Sequence, residues 1–413
     1  MQTECILNIA VAGTGISGVS AAWLLSRRHR VTVYEQAERI GGHSNTIVAS
    51  LGGVSIPVDT GFIVFNPAAY PNLVALFELL GVPTQDSDMS FAVSLDRGAL
   101  EYSGSGLPGL FGQPLNLLRP RFWSMLRDTL RFYREAARDD RLLNDEQISL
   151  GEYLRERGYS AAFRDDHLLP MASAIWSASA SDILSYPAAF ADRIRLDTAI
   201  RTVERFDGGV AITDSKGRRE RYDHIVMATH ADQALAALAD SSERERELLG
   251  AFRYSRNLAV LHSDESFMPR RRGVWSSWNY LGERDATGGD VCVTYWMNRL
   301  QNLSSERPLF VTLNPQRPPR AGALLHSEVY EHPVFDAAAL QAQQKLWMLQ
   351  GERNTWYCGA HFGSGFHEDG LQAGLAVAEQ LGGLRRPWSV PNESGRIVLA
   401  VREPDPSGAS VPT

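Results

Sequence analysis

The segment Val11-Ala12-Gly13-Thr14-Gly15-Ile16-Ser17-Gly18 decides the fold that we predict for this chain. An apolar run over residues 5–12 leads into it and predicts a buried parallel strand. Glycines in such a turn let the backbone bend tightly and bring its amides close to a pyrophosphate at the N-terminus of the next helix. The segment therefore predicts a strand, a phosphate-binding turn and a helix, in that order.

A second predicted strand, residues 31–34, ends at Glu35. Glu35 lies 20 residues after Gly15, which is the spacing at which a carboxylate meets a ribose diol. A glycine motif standing alone could be a plain turn. Here strand, glycines, helix, strand and acid follow one another, so the sequence predicts a dinucleotide-binding βαβ unit.

The residues after Glu35 bear on which dinucleotide is bound. Arg39 can offset pyrophosphate charge, and the pair Gly41-Gly42 can let the backbone pass close to a cofactor. This arrangement resembles the FAD-binding signature of the glutathione-reductase and amine-oxidase superfamily, and it favours FAD over NAD. The chain has no second motif of this kind, so we expect no separate NAD(P)H domain.

Composition is that of an ordinary globular enzyme with room for two domains. The chain has 413 residues, of which 44% are hydrophobic and 22% charged. Its net charge of −7 argues against a nucleic-acid partner, since such proteins usually carry a basic excess. The cysteines Cys5, Cys292 and Cys358 are widely spaced, so we expect neither a disulfide framework nor a metal site.

The chain shows no signal peptide and no apolar run of membrane-spanning length, so we expect a cytoplasmic location. Peripheral contact with the inner membrane face is a further expectation. It rests on a predicted helix from Pro120 to Arg138, whose apolar residues are Trp123, Leu126, Leu130 and Tyr133, with arginines on the other sides. This pattern is typical of a helix on an anionic membrane and equally of an ordinary surface helix.

A second candidate cofactor segment lies near the C-terminus, where a strand ending at Gly359 precedes a glycine-rich run and a helix. Glu368 and Asp369 suit a helix N-terminus, and Gly370 and Gly374 would permit close approach to a flat ring. An acidic N-cap on an ordinary helix is the alternative for this segment alone. Together with the N-terminal motif, it indicates a flavin.

The chain resembles the superfamily of flavin-containing amine oxidases, phytoene desaturases and protoporphyrinogen oxidases. It is most similar to a bacterial subgroup of FAD/NAD-binding oxidoreductases found alongside cyclopropane-fatty-acid-synthase-type enzymes. The segments that carry the resemblance are residues 38–46, 60–66, 275–280, 294–299 and 358–370.

The resemblance implies an α/β fold: a Rossmann-like FAD-binding domain of glutathione-reductase type with an interleaved α+β substrate domain. The FAD-binding domain would comprise residues 1–85, 191–250 and 350–386. The substrate domain would comprise residues 86–190 and 251–349, and residues 387–413 would form a C-terminal tail.

Motifs and resemblance together imply a set of residues for a non-covalently bound FAD. Within this set, the resemblance alone assigns Ile200 to an adenine contact and His367 to a backbone contact with the flavin. Catalytic roles are not assigned, and the candidates are His43, His361, His367 and Phe366. The predicted cofactor-binding residues are Gly13, Gly15, Ile16, Ser17, Gly18, Glu35, Gln36, Arg39, Gly41, Gly42, His43, Ser44, Gly61, Phe62, Ile200, Ala228, Thr229, Gly359, His367, Glu368, Asp369 and Leu371.

The chain departs from the family pattern at three points. Amine oxidases place a lysine near the flavin, and neither lysine of this chain, Lys216 or Lys345, matches that position. Phe366 matches one of the two aromatic residues that frame an amine, and the other has no counterpart. Phe190 is followed directly by Ala191 where the family has several dozen further residues, which leaves open a deletion or a missing segment.

These features predict an FAD-dependent oxidoreductase that takes a hydride from an apolar substrate, with a lipid acyl chain as the favoured case. A flavin amine oxidase that produces imine and hydrogen peroxide is the first alternative. A flavin-binding accessory subunit of a lipid-modifying system is the second. The electron acceptor is not predicted.

Overall fold

A computed structural model of the chain describes residues 6–135, 139, 150–174, 194–282, 292–304 and 306–399. The Phe190–Ala191 junction lies outside the described residues, as do residues 136–138 of the predicted arginine-rich helix. The described strands are β1 Asn8–Ala12, β2 Arg30–Tyr34, β3 Thr46–Leu51, β4 Val54–Asp59, β5 Phe91–Leu95, β6 Leu100–Ser103, β7 Ile194–Arg195, β8 Ile200–Phe206, β9 Gly209–Asp214, β10 Arg219–Tyr222, β11 His224–Met227, β12 Arg253–His262, β13 Trp278–Gly282, β14 Cys292–Trp296, β15 Phe310–Leu313, β16 Leu324–Val334 and β17 Thr355–Tyr357.

Helices flank these strands. Short 3₁₀ turns add Pro114–Leu118, Glu265–Phe267, Arg272–Val274, Leu346–Leu349, Glu352–Asn354 and Ala360–Phe362, and a π-helical turn spans Arg164–Leu168. The described α-helices are α1 Ile16–Leu25, α2 Pro71–Leu80, α3 Gly106–Leu110, α4 Pro120–Glu135, α5 Leu150–Glu156, α6 Ala161–Phe163, α7 Leu169–Ala174, α8 Ala231–Ala237, α9 Glu243–Gly250, α10 Met297–Leu300, α11 Ala337–Gln343 and α12 His367–Gly382.

The first layer is a five-stranded sheet with strand order β17-β11-β1-β2-β7, in which every pairing is parallel. Its central strand β1 is almost wholly apolar and buried, as expected for a strand covered on both faces. Strands β8, β9 and β10 form a separate antiparallel sheet. The predicted α/β class with a Rossmann-like βαβ unit is confirmed.

The second large sheet has seven strands in the order β16-β12-β15-β14-β13-β5-β6. Its pairings are antiparallel apart from β13 with β5. This sheet combines strands from residues 91–103 with strands from residues 253–334. Between these two segments the chain contributes strands to the parallel sheet. The β3–β4 hairpin packs against the apolar cluster of this second sheet.

Helix α12 begins at His367, so Glu368 and Asp369 lie in its first turn, and Gly370 and Gly374 lie inside the helix. A Cβ on Gly374 would overlap the carbonyl oxygen of Ser17, and one on Gly370 would lie 3.0 Å from Ile16. The two glycines therefore let α12 pack closely on α1. The prediction that they admit a flat ring is corrected by this packing.

Replacing Gly374 by Ala is expected to lower the free energy of unfolding by about 1–3 kcal/mol, because the added methyl group forces two buried helices apart. Urea unfolding measures the change. Gly273→Ala is the control, since a Cβ there meets no atom within 4 Å, and we expect it to stay within about 0.5 kcal/mol of the wild type. Equal losses in both variants would contradict the close packing of α12 on α1.

The buried side of helix α4 differs from the apolar side that the sequence pattern predicts. Its buried residues are Phe122, Met125 and Asp128, whereas Trp123 and Leu130 are exposed. The apolar side that the sequence predicts is therefore not the side of the helix that is buried. The buried residues lie one position away along the helix, and they are the ones that pack against the rest of the protein. No helix among the described residues is both long and apolar enough to cross a membrane.

Candidate active site

A long cavity runs from the carboxyl ends of the parallel strands to the second sheet. It holds about 1680 Å³ of space that no atom fills, its open mouth included. The β1–α1 turn, Glu35 and Ile200 line one end, and Tyr295 and Tyr330 line the other. Ligands of open α/β sheets bind outside the carboxyl ends of the strands, so the cavity lies where the sequence predicts a dinucleotide.

The β1–α1 turn forms a cradle that only small residues permit. Gly13 has φ +101°, and a Cβ on it would lie 2.7 Å from the carbonyl oxygen of Ala228. Gly15, at the N-cap of α1, has φ −63°, and a Cβ on it would meet no protein atom within 4 Å. Gly13 is thus required by the fold, while the space beside Gly15 is left for a ligand.

Glu35 stabilises the β1–α1 turn through hydrogen bonds and also lines the cavity. One of its carboxylate oxygens accepts hydrogen bonds from the backbone N–H and the hydroxyl of Thr14, at 2.9 and 2.5 Å. The other accepts from the N–H of Ala37 at 2.9 Å. A carboxylate has about four lone-pair sites, so this second oxygen can still accept from a ribose hydroxyl.

Five histidines line the cavity, and several have a ring nitrogen without a partner. The unpartnered atoms, all shielded from solvent, are Nε2 of His43, Nε2 of His361 and Nδ1 of His230. The ring of His43 lies 5.1 Å from that of His332 and 6.4 Å from that of His230. In the part of the chain that the structure describes, these imidazoles do not form a metal-binding group.

The orientation of His43 gives it a definite tautomer. Its ring donates a hydrogen bond to the backbone carbonyl of Glu331, and since Nε2 has no partner, the donor is Nδ1. A proton held at Nδ1 leaves a lone pair on Nε2 of the neutral ring. His43, which lines the cavity, therefore carries a neutral ring whose Nε2 can accept a proton.

All five imidazoles are held neutral. Burial, with a smaller contribution from neighbouring histidines, lowers the pKa of His43 well below its usual range. Burial likewise lowers the pKa of His332 and His367 to about 4 and of His361 to about 3, and it lowers the pKa of His230. At neutral pH the ring nitrogens can accept protons and add no positive charge to the cavity.

Most of the predicted site residues come together in this cavity. His361 and Phe366, which were only catalytic candidates, are among them. The predicted residues that line it are Gly13, Gly15, Ile16, Ser17, Glu35, Gln36, Gly42, His43, Gly61, Ile200, Ala228, Thr229, Gly359, His361, Phe366 and His367.

Eight predicted residues do not line the cavity. Gly18 and Gly41 are packed against neighbouring backbone. Ser44 and Phe62 contact His367, through a 3.3 Å hydrogen bond and a stacked ring at 4.1 Å. The residues outside the wall are Gly18, Arg39, Gly41, Ser44, Phe62, Glu368, Asp369 and Leu371.

Three of these eight are charged side chains with other partners. Arg39 donates to the backbone carbonyl of Gly42 at 2.8 Å and pairs with Glu328 at 2.6 Å. Glu368 accepts from the first backbone amides of α2, and Asp369 pairs with Arg396 at 2.5 Å. We therefore correct their predicted role: these side chains anchor the segments around the cavity.

Sequence reasoning missed several lining residues. His230 follows β11 directly, and the rule that ligands bind at the carboxyl ends of parallel strands could have found it. Tyr330, Glu331 and His332 lie on β16. No motif marks them, because they reach the site through the pairing of β16 with β12.

The residues present fit FAD. The cradle beside Gly15 is open and Glu35 faces the nucleotide end, and the lining residues His43, His230 and His361 each carry a buried ring nitrogen without a hydrogen-bond partner. The flat walls farther along, Phe366 among them, suit a large planar ring.

Known proteins support this assignment. A family profile for an NAD(P)-binding Rossmann-like domain matches residues 11–80. The Mycobacterium tuberculosis protein "Putative flavin-containing monoamine oxidase AofH" is 26% identical over 259 residues, which cover 52% of this chain and 55% of that protein. The chain spans about half the length of the curated relatives it matches.

Two solved structures share the fold over nearly the whole chain. Putrescine oxidase bound to putrescine superposes with TM-score 0.63 at 13% identity, covering 92% of this chain and all of that one. A CLA-producing fatty acid isomerase from P. acnes superposes with TM-score 0.60 at 14% identity, covering 91% and 98%. The chain is therefore similar in sequence to a flavin-containing monoamine oxidase over about half of its length, and it shares the fold of putrescine oxidase over nearly all of it. The narrower bacterial subgroup stays a prediction.

Gly15→Ala is expected to weaken FAD binding about tenfold or more, or about 1.4 kcal/mol, because the methyl group would occupy space needed by the pyrophosphate. The thermal stability of the FAD-free protein should not change, since the methyl group meets no protein atom. FAD titration and thermal unfolding of the same sample measure both quantities. Unchanged affinity would move the pyrophosphate away from this turn.

Glu35→Ala is expected to weaken FAD retention by about 1.5–3 kcal/mol, through loss of the ribose contact to a charged group. The substitution also frees the amides of Thr14 and Ala37, so stability of the FAD-free protein is measured alongside FAD affinity. Glu35→Gln, which keeps the size of the side chain, is the matched variant. Retention equal to that of the wild type in Glu35→Ala would remove Glu35 from the site.

Proposed function

We propose that the protein is an FAD-dependent oxidoreductase that removes a hydride from an apolar substrate, with a lipid acyl chain as the favoured case. The observation that carries the proposal is the charge of the cavity wall. Its described residues include no lysine, arginine or aspartate, and its two carboxylates are Glu35, at the nucleotide end, and Glu331. An apolar chain loses little hydration on entering such a wall, whereas a charged substrate would lose much.

The residues that line the substrate end of the cavity suit this role. Ile63, Leu313, Tyr295 and Phe366 line it, and the imidazoles beside them are neutral. Of the tryptophan and tyrosine residues in segments 275–280 and 294–299, only Tyr295 is in the described wall. The fatty acid isomerase with the same fold indicates that the fold accommodates acyl chains.

Bound FAD would supply a two-electron acceptor for the hydride of a C–H bond. Forming a double bond also requires that a proton leave the neighbouring carbon. Nε2 of His43 carries the lone pair that can take this proton, because its Nδ1–H is held by the carbonyl of Glu331. We therefore assign to His43 the role of general base.

We propose that neighbouring groups carry the proton from His43 towards solvent. His332 lies 5.1 Å from it between ring centroids, and Asn257 donates to Nδ1 of His332 at 2.9 Å. Nδ1 of His230 lies 3.5 Å from the Glu331 carboxylate, whose side chain is about one-third exposed. A proton taken from substrate can leave the cavity along this side.

The test is to mix the FAD-loaded protein with a panel of substrates under anaerobic conditions. Visible absorbance of the bound flavin then shows whether the substrate has reduced it. Acyl lipids are expected to bleach the flavin, and primary and secondary amines are not. Reduction by amines alone would establish the amine oxidase alternative, which the partly exposed carboxylate of Glu331 favours as a partner for an ammonium group. No reduction by either class, even with an artificial electron acceptor present, would leave the accessory-subunit alternative.

We also propose that FAD is bound without a covalent bond. Cys358 is fully buried, its N–H donates to the carbonyl of Met227, and burial raises the pKa of its thiol. Such a thiol is a poor nucleophile. Denaturation should release intact FAD into the filtrate after ultrafiltration, and flavin that stays with the polypeptide would contradict the proposal.

A further inference from the structure

An apolar ridge lies on the outside of the second domain, across α3, the 3₁₀ turn Pro114–Leu118 and α4. Its side chains are large and open to solvent: Leu118 is 80% exposed, and Trp123 is 48% exposed. We call this set the α3–α4 ridge. Its exposed apolar residues are Leu107, Leu115, Leu117, Leu118, Trp123, Leu130 and Tyr133.

The ridge is continuous rather than scattered. The indole N–H of Trp123 donates to the carbonyl of Leu117 at 2.9 Å, which ties α4 to the 3₁₀ turn. The ring of Trp123 also lies 6.0 Å from that of Phe111, at the end of α3. Single exposed apolar residues are normal on a protein surface, but a contiguous group of this kind marks an interaction site.

Arginine side chains lie among the apolar residues of the ridge. Residues 106–135 contain five arginines and two acids, a local charge of 5 − 2 = +3 in a chain of net charge −7. Two of the acids that pair with these arginines face inward, while Glu135, the partner of Arg131, is 51% exposed. Arg127 is 70% exposed while its partner Asp128 is 1% exposed, and Arg121 is 45% exposed while Asp166 is 1% exposed.

We propose that the α3–α4 ridge docks the protein on an anionic lipid bilayer. Leucine and tryptophan side chains would enter the boundary between headgroups and acyl chains, and the arginines would meet the phosphates. The charge pattern favours this occupant, because anionic headgroups would neutralise the surplus of arginines over acids in residues 106–135, whereas an uncharged apolar partner would not. The docking surface does not depend on the proposed reaction.

Vesicle co-sedimentation of the FAD-loaded protein tests the proposal. Phosphatidylcholine vesicles are compared with vesicles that also contain phosphatidylglycerol, at low and high salt. We expect binding to the anionic vesicles only, weakened by salt. Leu118→Ser with Trp123→Ser should lower it about tenfold or more, as should Arg127→Glu with Arg134→Glu.

Leu340→Ser is the control, since Leu340 is a 46% exposed leucine on α11, away from the ridge. Circular dichroism and FAD content show that each variant is folded. Absence of binding, binding to neutral vesicles alone, or binding that the ridge variants retain would each overturn the proposal. Self-association that is lost in the Leu118→Ser and Trp123→Ser variant, without vesicle binding, would assign the ridge to a second copy of the chain and also overturn it.

Discussion

His43→Gln is expected to slow reduction of the bound flavin by substrate by about 10²–10⁴-fold, the usual contribution of a general base. The neutral ring lines the cavity and its Nε2 has no hydrogen-bond partner, so it can accept a proton, which an amide side chain cannot do. Stopped-flow measurement of flavin bleaching, with the FAD content of each sample recorded, gives the rate. His326→Gln, on β16 but outside the cavity wall, should leave the rate unchanged.

The pH dependence separates a base from a merely structural residue. A base acts in its neutral form, and burial holds the pKa of His43 well below its usual range. The wild-type rate should therefore stay level through neutral pH and fall only in acid, as the ring becomes protonated. In His43→Gln this acid limb should disappear. A variant that keeps both the rate and the acid limb would show that another group takes the proton.

Arg205→Met is expected to lower the free energy of unfolding by about 3–5 kcal/mol, because it leaves a buried carboxylate without its partner. Arg205 and Glu245 are 1% and 2% exposed and form a bidentate ion pair between β8 and α9. Tyr357 of β17 donates to the same carboxylate at 2.6 Å. Urea unfolding followed by both fluorescence and circular dichroism measures the loss.

Acid should reduce this difference between wild type and variant. Arg205, Tyr357 and the N–H of Ser242 outweigh the opposing effect of burial and lower the pKa of Glu245 from 4.5 to about 2. The ion pair therefore stabilises the fold fully above pH 4.5, and this stability is lost as the pH falls towards 2. Arg219→Met is the control, because its ion pair with Glu204 is exposed and should contribute at most about 1 kcal/mol.

The βαβ unit could be predicted because its evidence is local. Gly13, the apolar strand before it and Glu35 act within 30 residues of one another, and each is required by backbone geometry or hydrogen bonding inside that unit. The C-terminal glycines show where such reasoning reaches its limit. The sequence draws attention to Gly370 and Gly374. The structure shows that glycine is needed at both positions because α12 packs closely on α1, which is more than 340 residues away along the chain.

The histidine cluster shows the same limit for the site. His43 could be suspected from the motif around it, whereas His230 and His332 join it only because β11 and β16 run to the same cavity. Helix α4 is a second case: its periodicity revealed an apolar stripe, but which side was buried depended on the domain that packs against it.

The order of residues along the chain was enough to predict the α/β class, which the structure confirms, and to predict the dinucleotide turn and the residues of the nucleotide end. Those features depend on turn geometry, helix N-termini and carboxylate spacing, which act over short stretches of chain. The protonation state of the imidazoles, the absence of lysine and arginine side chains from the described cavity wall and the exposed α3–α4 ridge depended on the folded chain. They arise from burial and from contacts between segments distant in sequence, and no local pattern encodes which side chains will meet or lose their water.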